Sequence, residues 1–281
     1  MAHELAEDAP PPEPDRAGGP PEAPRWPSWF APVGFVVAAF LTVLSAVLVG
    51  AVATLLGVDA RDPGPVVRLV QTLLQDIALV LTAVALAASV ARPRLWHFGL
   101  GRTRVGPLVA WAVAGYMLFL LVGQLYQAIF DPDGEQRIVE RLGADDSMLA
   151  LIAIGVLVVV LAPVVEEFFF RGFFYKALRT RFGFFVAALI DGLVFGVIHY
   201  TGAETLSILP IFVALGFVFC LVYERTGSLY PSIAIHAFNN AIAYAQLTRL
   251  SDTVPALLGA ATVFGCLVAA RSVRVGAPAV S

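Results

Sequence analysis

From about residue 32 onward the chain is a succession of apolar runs, most of them about 18 residues or longer before a charge interrupts them. Coiled as a helix, a run of that length crosses a hydrocarbon core about 30 Å thick. The runs fall at about 32–57, 69–91, 107–130, 147–170, 183–200, 205–223, 229–246 and 253–270. Only 14% of residues are charged, against about 25% in a typical soluble domain, so a water-soluble globule is excluded. Lipid cannot satisfy the backbone of an open sheet edge, and the short alternating segments of a membrane barrel are absent. The expected fold class is therefore all-α: a polytopic membrane bundle of about eight transmembrane helices, with any site in the bundle interior.

Residues 1–30 are acidic and Pro-rich and lack the charged-then-apolar order of a signal peptide. They are expected to form a disordered tail. The basic residues divide unevenly between alternate loops, 13 on the side of both termini and 5 on the other. The excess of positive charge places both termini in the cytoplasm. Sparse Lys (Lys176 alone) with heavy Ala, Val and Arg usage points to a bacterial chain and hence to the inner, plasma membrane. No basic block large enough for nucleic acid occurs, so membrane lipid and a peptide or protein are the expected partners. Cys220 and Cys266 lie in apolar runs and are expected to be small core residues. The segment Trp96–Arg104 is either an amphipathic interfacial helix or an ordinary polar loop.

Ionisable side chains inside lipid cost roughly 2.5–3.5 kcal/mol each on the insertion scale, so those that persist are candidates for function. They are Asp76, Glu166, Glu167, Arg171, Asp191, His199 and His236. Glu167 and Arg171 are four apart with the acid first, which puts them on one helical face in the favourable order. Glu166 then projects about 100° away and is left for other work. A hairpin turning near Gly183 brings Glu166 and His199 to nearly the same depth, with Phe195 one turn before His199 and on its face. His236 and Asn240 share a face in the seventh run, with Asn239 three residues from His236. A carboxylate and an imidazole sharing a water make a general base. A second His with an Asn can donate to an oxyanion. Glu166, His199 and His236 could instead hold a divalent metal such as zinc, and the sequence does not separate the two mechanisms. Asp191 lies eight residues before His199, either supporting it or protonated and merely hydrogen-bonded. A proton-coupled transporter using Asp76, Asp191 and Glu166 is a further option, weakened by the absence of an internal repeat.

The segments Glu166-Glu-Phe-Phe-Phe-Arg171, Phe195-Gly-Val-Ile-His199 and His236-Ala-Phe-Asn-Asn240 resemble, in order, the EExxxR, FxxxH and HxxxN motifs of the CAAX-processing and bacteriocin-processing (CPBP, or Abi) intramembrane proteases. Thr226-Gly-Ser-Leu, ahead of the last motif, is also similar to that family. The resemblance implies a protease core over residues 146–272, flanked by N-terminal transmembrane helices over 31–145 and a C-terminal tail over 273–281. It implies that Glu166 and His199 activate water, that His236 and Asn240 form the oxyanion site, and that Glu167 and Arg171 hold the geometry. It implies an endopeptidase acting on a membrane-associated or prenylated CAAX-type substrate, glutamate- or metal-dependent. The alternative is a non-catalytic membrane binder or bacteriocin-immunity protein of the same fold.

Overall fold

The computed structural model describes residues 24–59, 63–133, 147–248 and 251–272. The tail through residue 23, the stretch 273–281, and Arg61, Arg137, Arg141 and Arg249 of the loop count lie outside the described residues. Among the described residues eight helical rods follow one another: α1 (Phe30–Leu55), α2 (Gly64–Ala88), α3 (Val105–Phe130), α4 (Met148–Leu178), α5 (Phe184–Ile198), α6 (Leu209–Thr226), α7 (Tyr230–Leu247) and α8 (Thr253–Ser272). No strand occurs among the described residues. Six of these elements are long and apolar enough to cross a membrane, α6 counting together with the 3-10 turn Ala203–Ile208 that leads into it. On α1, Val36, Phe40, Val43 and Val47 form a stripe left more than 60% exposed. Such a stripe is stable only against lipid or another apolar surface.

The two helices outside that set, α5 and α7, carry His199 and His236 respectively. At 1.5 Å per residue, the 15 residues of α5 reach about 22 Å, short of the hydrocarbon thickness. The chain therefore leaves α5 at His199 and turns through Ala203–Ile208 before α6 begins. Close approach of α5 to α6 comes from glycine. A Cβ on Gly192 would sit 2.7 Å from the Val213 carbonyl oxygen, and one on Gly196 would sit 2.4 Å from a Val213 methyl. This is the small-residue packing expected where helices associate without a hydrophobic drive.

Helix α4 runs eight residues past the boundary of about 170 set by the apolar run. Arg171 and Lys176, which counted as loop charges, lie within it, and Arg171 is wholly buried. A charge does not end a helix whose neighbours supply its counter-ions. Two wide π-turns interrupt α4, at Val156–Leu161 and Phe170–Tyr175. The first has a cause in the sequence: Pro163 has no N–H, and its ring collides with the carbonyl four residues back in an ordinary α-turn. At the second, Gly172 leaves room for the Phe98 carbonyl oxygen, which a Cβ there would meet at 3.0 Å.

Trp96–Arg104 does not form an interfacial helix. Only Leu95–Phe98 is helical, as a short 3-10 turn closed by Gly99 at φ 91°. The turn is fixed by aromatics: Phe98 lies 4.4 Å from the Phe168 ring and 4.9 Å from Trp26. Trp26, which composition assigns to the tail, is thereby almost fully buried. Lys176 lies 4.8 Å from the Trp26 ring centroid and donates to the His97 carbonyl.

Candidate active site

Arg171 is the structural centre of the site, and every partner it has is buried. Its Nη1 donates to Glu167 Oε1 at 2.9 Å and its Nη2 donates to the Gly216 carbonyl at 2.9 Å. Asp191 Oδ1 lies 3.1 Å from Nη2. The rings of Phe195 and Phe219 face the guanidinium at 4.5 and 4.9 Å. Removing a guanidinium from water costs several kcal/mol, which these carboxylates, the carbonyl and the rings offset together. Asp191 is thus an ion-pair partner of Arg171 and ties α5 to α4. Cys220 also takes part, its thiol donating to Asp191 Oδ1 at 3.2 Å. Gly216 is small for a reason, since a Cβ there would lie 2.9 Å from Gly192 Cα and 3.1 Å from Arg171 Nη2.

Glu167 is shared. Its Oε1 also lies 3.3 Å from His236 Nδ1, so the imidazole donates there and turns Nε2 to the opposite side. On that side stands Glu166, with Oε2 3.8 Å from Nε2. This is too long for a direct hydrogen bond, and Glu166 Oε2 is buried with no hydrogen-bond partner. The His236 ring is held at 5.0 Å by Phe219, nearly parallel, and at 5.8 Å by the edge of Phe195. The adjacent carboxylates therefore part company as the helical angle predicts: Glu167 is neutralised within the bundle, and Glu166 faces imidazole.

His199 caps the C-terminus of α5. Its Nδ1–H donates to the Phe195 carbonyl at 2.7 Å, which leaves Nε2 as the reactive nitrogen. The ring stacks on Phe212 at 4.5 Å with 12° between planes and touches Phe195 at 4.6 Å. Glu166, His236 and Arg171 all lie within electrostatic range of it. The hairpin thus delivers His199 to the neighbourhood of Glu166. Phe212 and Phe219, seven apart on α6, clamp the two imidazoles. Only that spacing hints at them in the sequence, and neither stood out there.

Asn240 has a task that the sequence did not disclose. In a π-turn the carbonyl of residue 158 would accept from the N–H five residues on, but that residue is Pro163. Asn240 Nδ2 supplies the missing donor, 2.9 Å from the Val158 carbonyl. One amide N–H is thereby committed to structure, and Asn240 is fixed one turn beyond His236. The lead-in to α7 is built on Thr226-Gly-Ser-Leu: Gly227 ends α6 at φ 62°, and the Ser228 hydroxyl accepts from Tyr230 N at 3.3 Å. Among the described residues, no three His, Cys, Asp or Glu side chains converge in an arrangement that could hold a metal ion. Glu166, His199 and His236 as they stand do not fit one.

Residues 148–242 match the family model of type II CAAX prenyl endopeptidase Rce1-like proteins. This segment of the chain is similar to that family. The Rce1-like region runs from the start of α4 into α7 and contains Glu166, Glu167, Arg171, Asp191, Phe195, His199, His236 and Asn240; α1, α2, α3 and α8 lie outside it. Among curated proteins, the chain is 28% identical over 144 residues to "Putative membrane peptidase YdiL" of Bacillus subtilis, covering 48% of this chain and 55% of that protein. It is 29% identical over 140 residues to "Uncharacterized protein YyaK" of the same organism, covering 47% and 45%. The chain thus spans about half the length of the curated relatives it matches. No solved structure matches it.

Proposed function

We propose that this protein is an intramembrane endopeptidase of the bacterial plasma membrane, with both termini cytoplasmic, in which Glu166 and His199 activate a water molecule. The observation that carries this is the division of labour between two adjacent carboxylates. Glu167 is bound by Arg171 and His236, whereas Glu166 Oε2 is buried without a hydrogen-bond partner and faces two imidazoles. A buried acceptor left open costs free energy, and substrate water is the natural occupant.

In the proposed reaction the water oxygen attacks the scissile carbonyl carbon while Glu166 takes one of its protons, with His199 Nε2 orienting the water. Negative charge developing on the carbonyl oxygen is met by the second N–H of Asn240 and by Nε2–H of a doubly protonated His236, whose Nδ1–H stays on Glu167. The proton held by Glu166 then passes to the amide nitrogen as the C–N bond breaks, giving a carboxylic acid and a free amine, which exchange the remaining proton to leave a carboxylate and an ammonium group. The Arg171 cluster holds Glu167, and through Glu167 the His236 ring, in a fixed orientation. As substrate we propose a membrane-associated peptide bearing a lipid-like chain, of the prenylated CAAX type. A crevice of about 320 Å³ between α3, α7 and α8, lined by Tyr116, Tyr230, Phe238 and Cys266 among others, has the apolar walls such a chain requires.

The test uses the purified chain in liposomes with a quenched farnesyl-CAAX peptide. Wild type should cleave it, and Glu166→Ala and His199→Ala should be inactive while remaining folded. Cleavage that persists in both folded variants would overturn the assignment.

A further inference from the structure

Asp76 lies in the middle of α2, outside the Rce1-like region, and is 5% exposed. Both carboxyl oxygens are buried with no hydrogen-bond partner. It is one of the buried residues of α2, with Leu79 and Ala83 among the others, and α2 packs on the Ala162–Phe169 stretch of α4. The charged group within its electrostatic range is Glu166. Among the described residues, the Asp76 oxygens have no hydrogen-bond partner, and on α4 Lys176 donates elsewhere, to the His97 carbonyl. Helix α1 carries no titratable side chain; on α4, Glu167 and Arg171 are paired with each other and Tyr175 donates to Glu224.

Two buried carboxyls on helices packed against each other, within electrostatic range and each with an open oxygen, do not stand together for stability. An apolar residue at position 76 would remove an unsatisfied polar group, and in an apolar surrounding that removal is favourable. What the pair can do is hold a water, or share a proton, between α2 and α4. We propose that Asp76 is a positioning residue that acts through Glu166: it hydrogen-bonds the water between them and so fixes the carboxylate in the orientation from which it takes the substrate water's proton. Helix α2 then supplies a wall of the site that the matched family segment does not contain. This inference rests on Glu166 being the base.

The experiment has two arms, so that failure of the peptidase proposal and failure of this one can be told apart. In the first, infrared difference spectra are recorded on the full chain in nanodiscs, and the Asp76 carboxyl band is assigned by its loss in Asp76→Asn. That band should shift in Glu166→Gln, because the two groups share a hydrogen-bonded water. A band unmoved by Glu166→Gln overturns the proposal whether or not any peptide is cleaved. In the second arm, Asp76→Leu should unfold no more readily than wild type, yet lose about ten- to a hundred-fold in kcat at unchanged KM, the scale for a misplaced catalytic group. Asp76→Asn, which keeps the hydrogen bond, should recover most of that loss. Full kcat in a folded Asp76→Leu overturns the proposal, and so does equal loss in Leu and Asn variants. Should Asp76→Leu fail to fold, the spectral arm and Asp76→Asn alone decide.

Discussion

Replacing Arg171 with Met removes a guanidinium while keeping an unbranched side chain, and its cost can be worked from its partners. The substitution deletes the 2.9 Å bond to Glu167, the 3.1 Å contact with Asp191 and the 2.9 Å bond to the Gly216 carbonyl. Glu167 keeps His236, and Asp191 keeps only the Cys220 thiol. Both carboxyls are 0% exposed, so water cannot take over. Breaking a buried pair from one side costs about 3–5 kcal/mol. A loss of about 4 kcal/mol, roughly a thousand-fold in the folding equilibrium, is therefore expected. The assay is equilibrium unfolding in mixed micelles. The compensated variant Glu167→Gln/Arg171→Met/Asp191→Asn should regain more than half of the loss, because no uncompensated charge is left buried. A single-variant loss below about 1 kcal/mol, the worth of a surface pair, would refute the claim that this cluster holds the core together.

Further outcomes follow from the same contacts. Gly192→Ala places a Cβ against the Val213 carbonyl oxygen and the Phe217 backbone nitrogen, which cannot yield without parting α5 from α6. It should cost about 1–3 kcal/mol, whereas Gly50→Ala, with open space around it, should be neutral or slightly stabilising in the same unfolding assay. Asn240→Leu leaves the Val158 carbonyl without a donor and should cost about 1–3 kcal/mol; adding Pro163→Ala, which restores an N–H, should reduce the loss. His97 lies in the 3-10 turn, and its pKa is held below the ordinary His range by burial, with Lys176 and Arg94 adding to the effect. A His with a depressed folded pKa favours folding above its unfolded value of about 6.5, and this contribution fades as pH falls below it. Thermal stability should drop more between pH 7.5 and pH 5.5 (about, bracketing that value) in wild type than in His97→Gln; equal drops would exclude His97 as a contributor.

Much of the fold was legible because lipid imposes long apolar runs, and each of the eight runs corresponds to a helix. The boundary of α4 was not legible, because Lys176 reads as a loop charge until the His97 carbonyl and the Trp26 ring are seen to hold it. The pairing of Glu167 with Arg171 followed from spacing alone. The Asp191–Arg171 ion pair did not, since it joins two helices whose rotation no local pattern fixes. Cys220 was read as filler for the same reason: its thiol meets Asp191 across a helix interface. The Asn240 bond to Val158 was in principle derivable from Pro163, but it required knowing that the turn before Pro163 is a π-turn. Asp76 was visible as an expensive residue, though its place on the helix packed against that of Glu166 was not.

The central claim is that Glu166 and His199 act on one water as a unit. Single-turnover cleavage of the liposome-bound farnesyl peptide by wild type, Glu166→Gln, His199→Gln and the double variant tests it most directly. Groups that act together are strongly non-additive. Each single substitution should therefore abolish nearly all of the rate, and the double variant should be scarcely slower than either single one. Losses that multiply in the double variant would show that the two residues act independently, and would contradict the account.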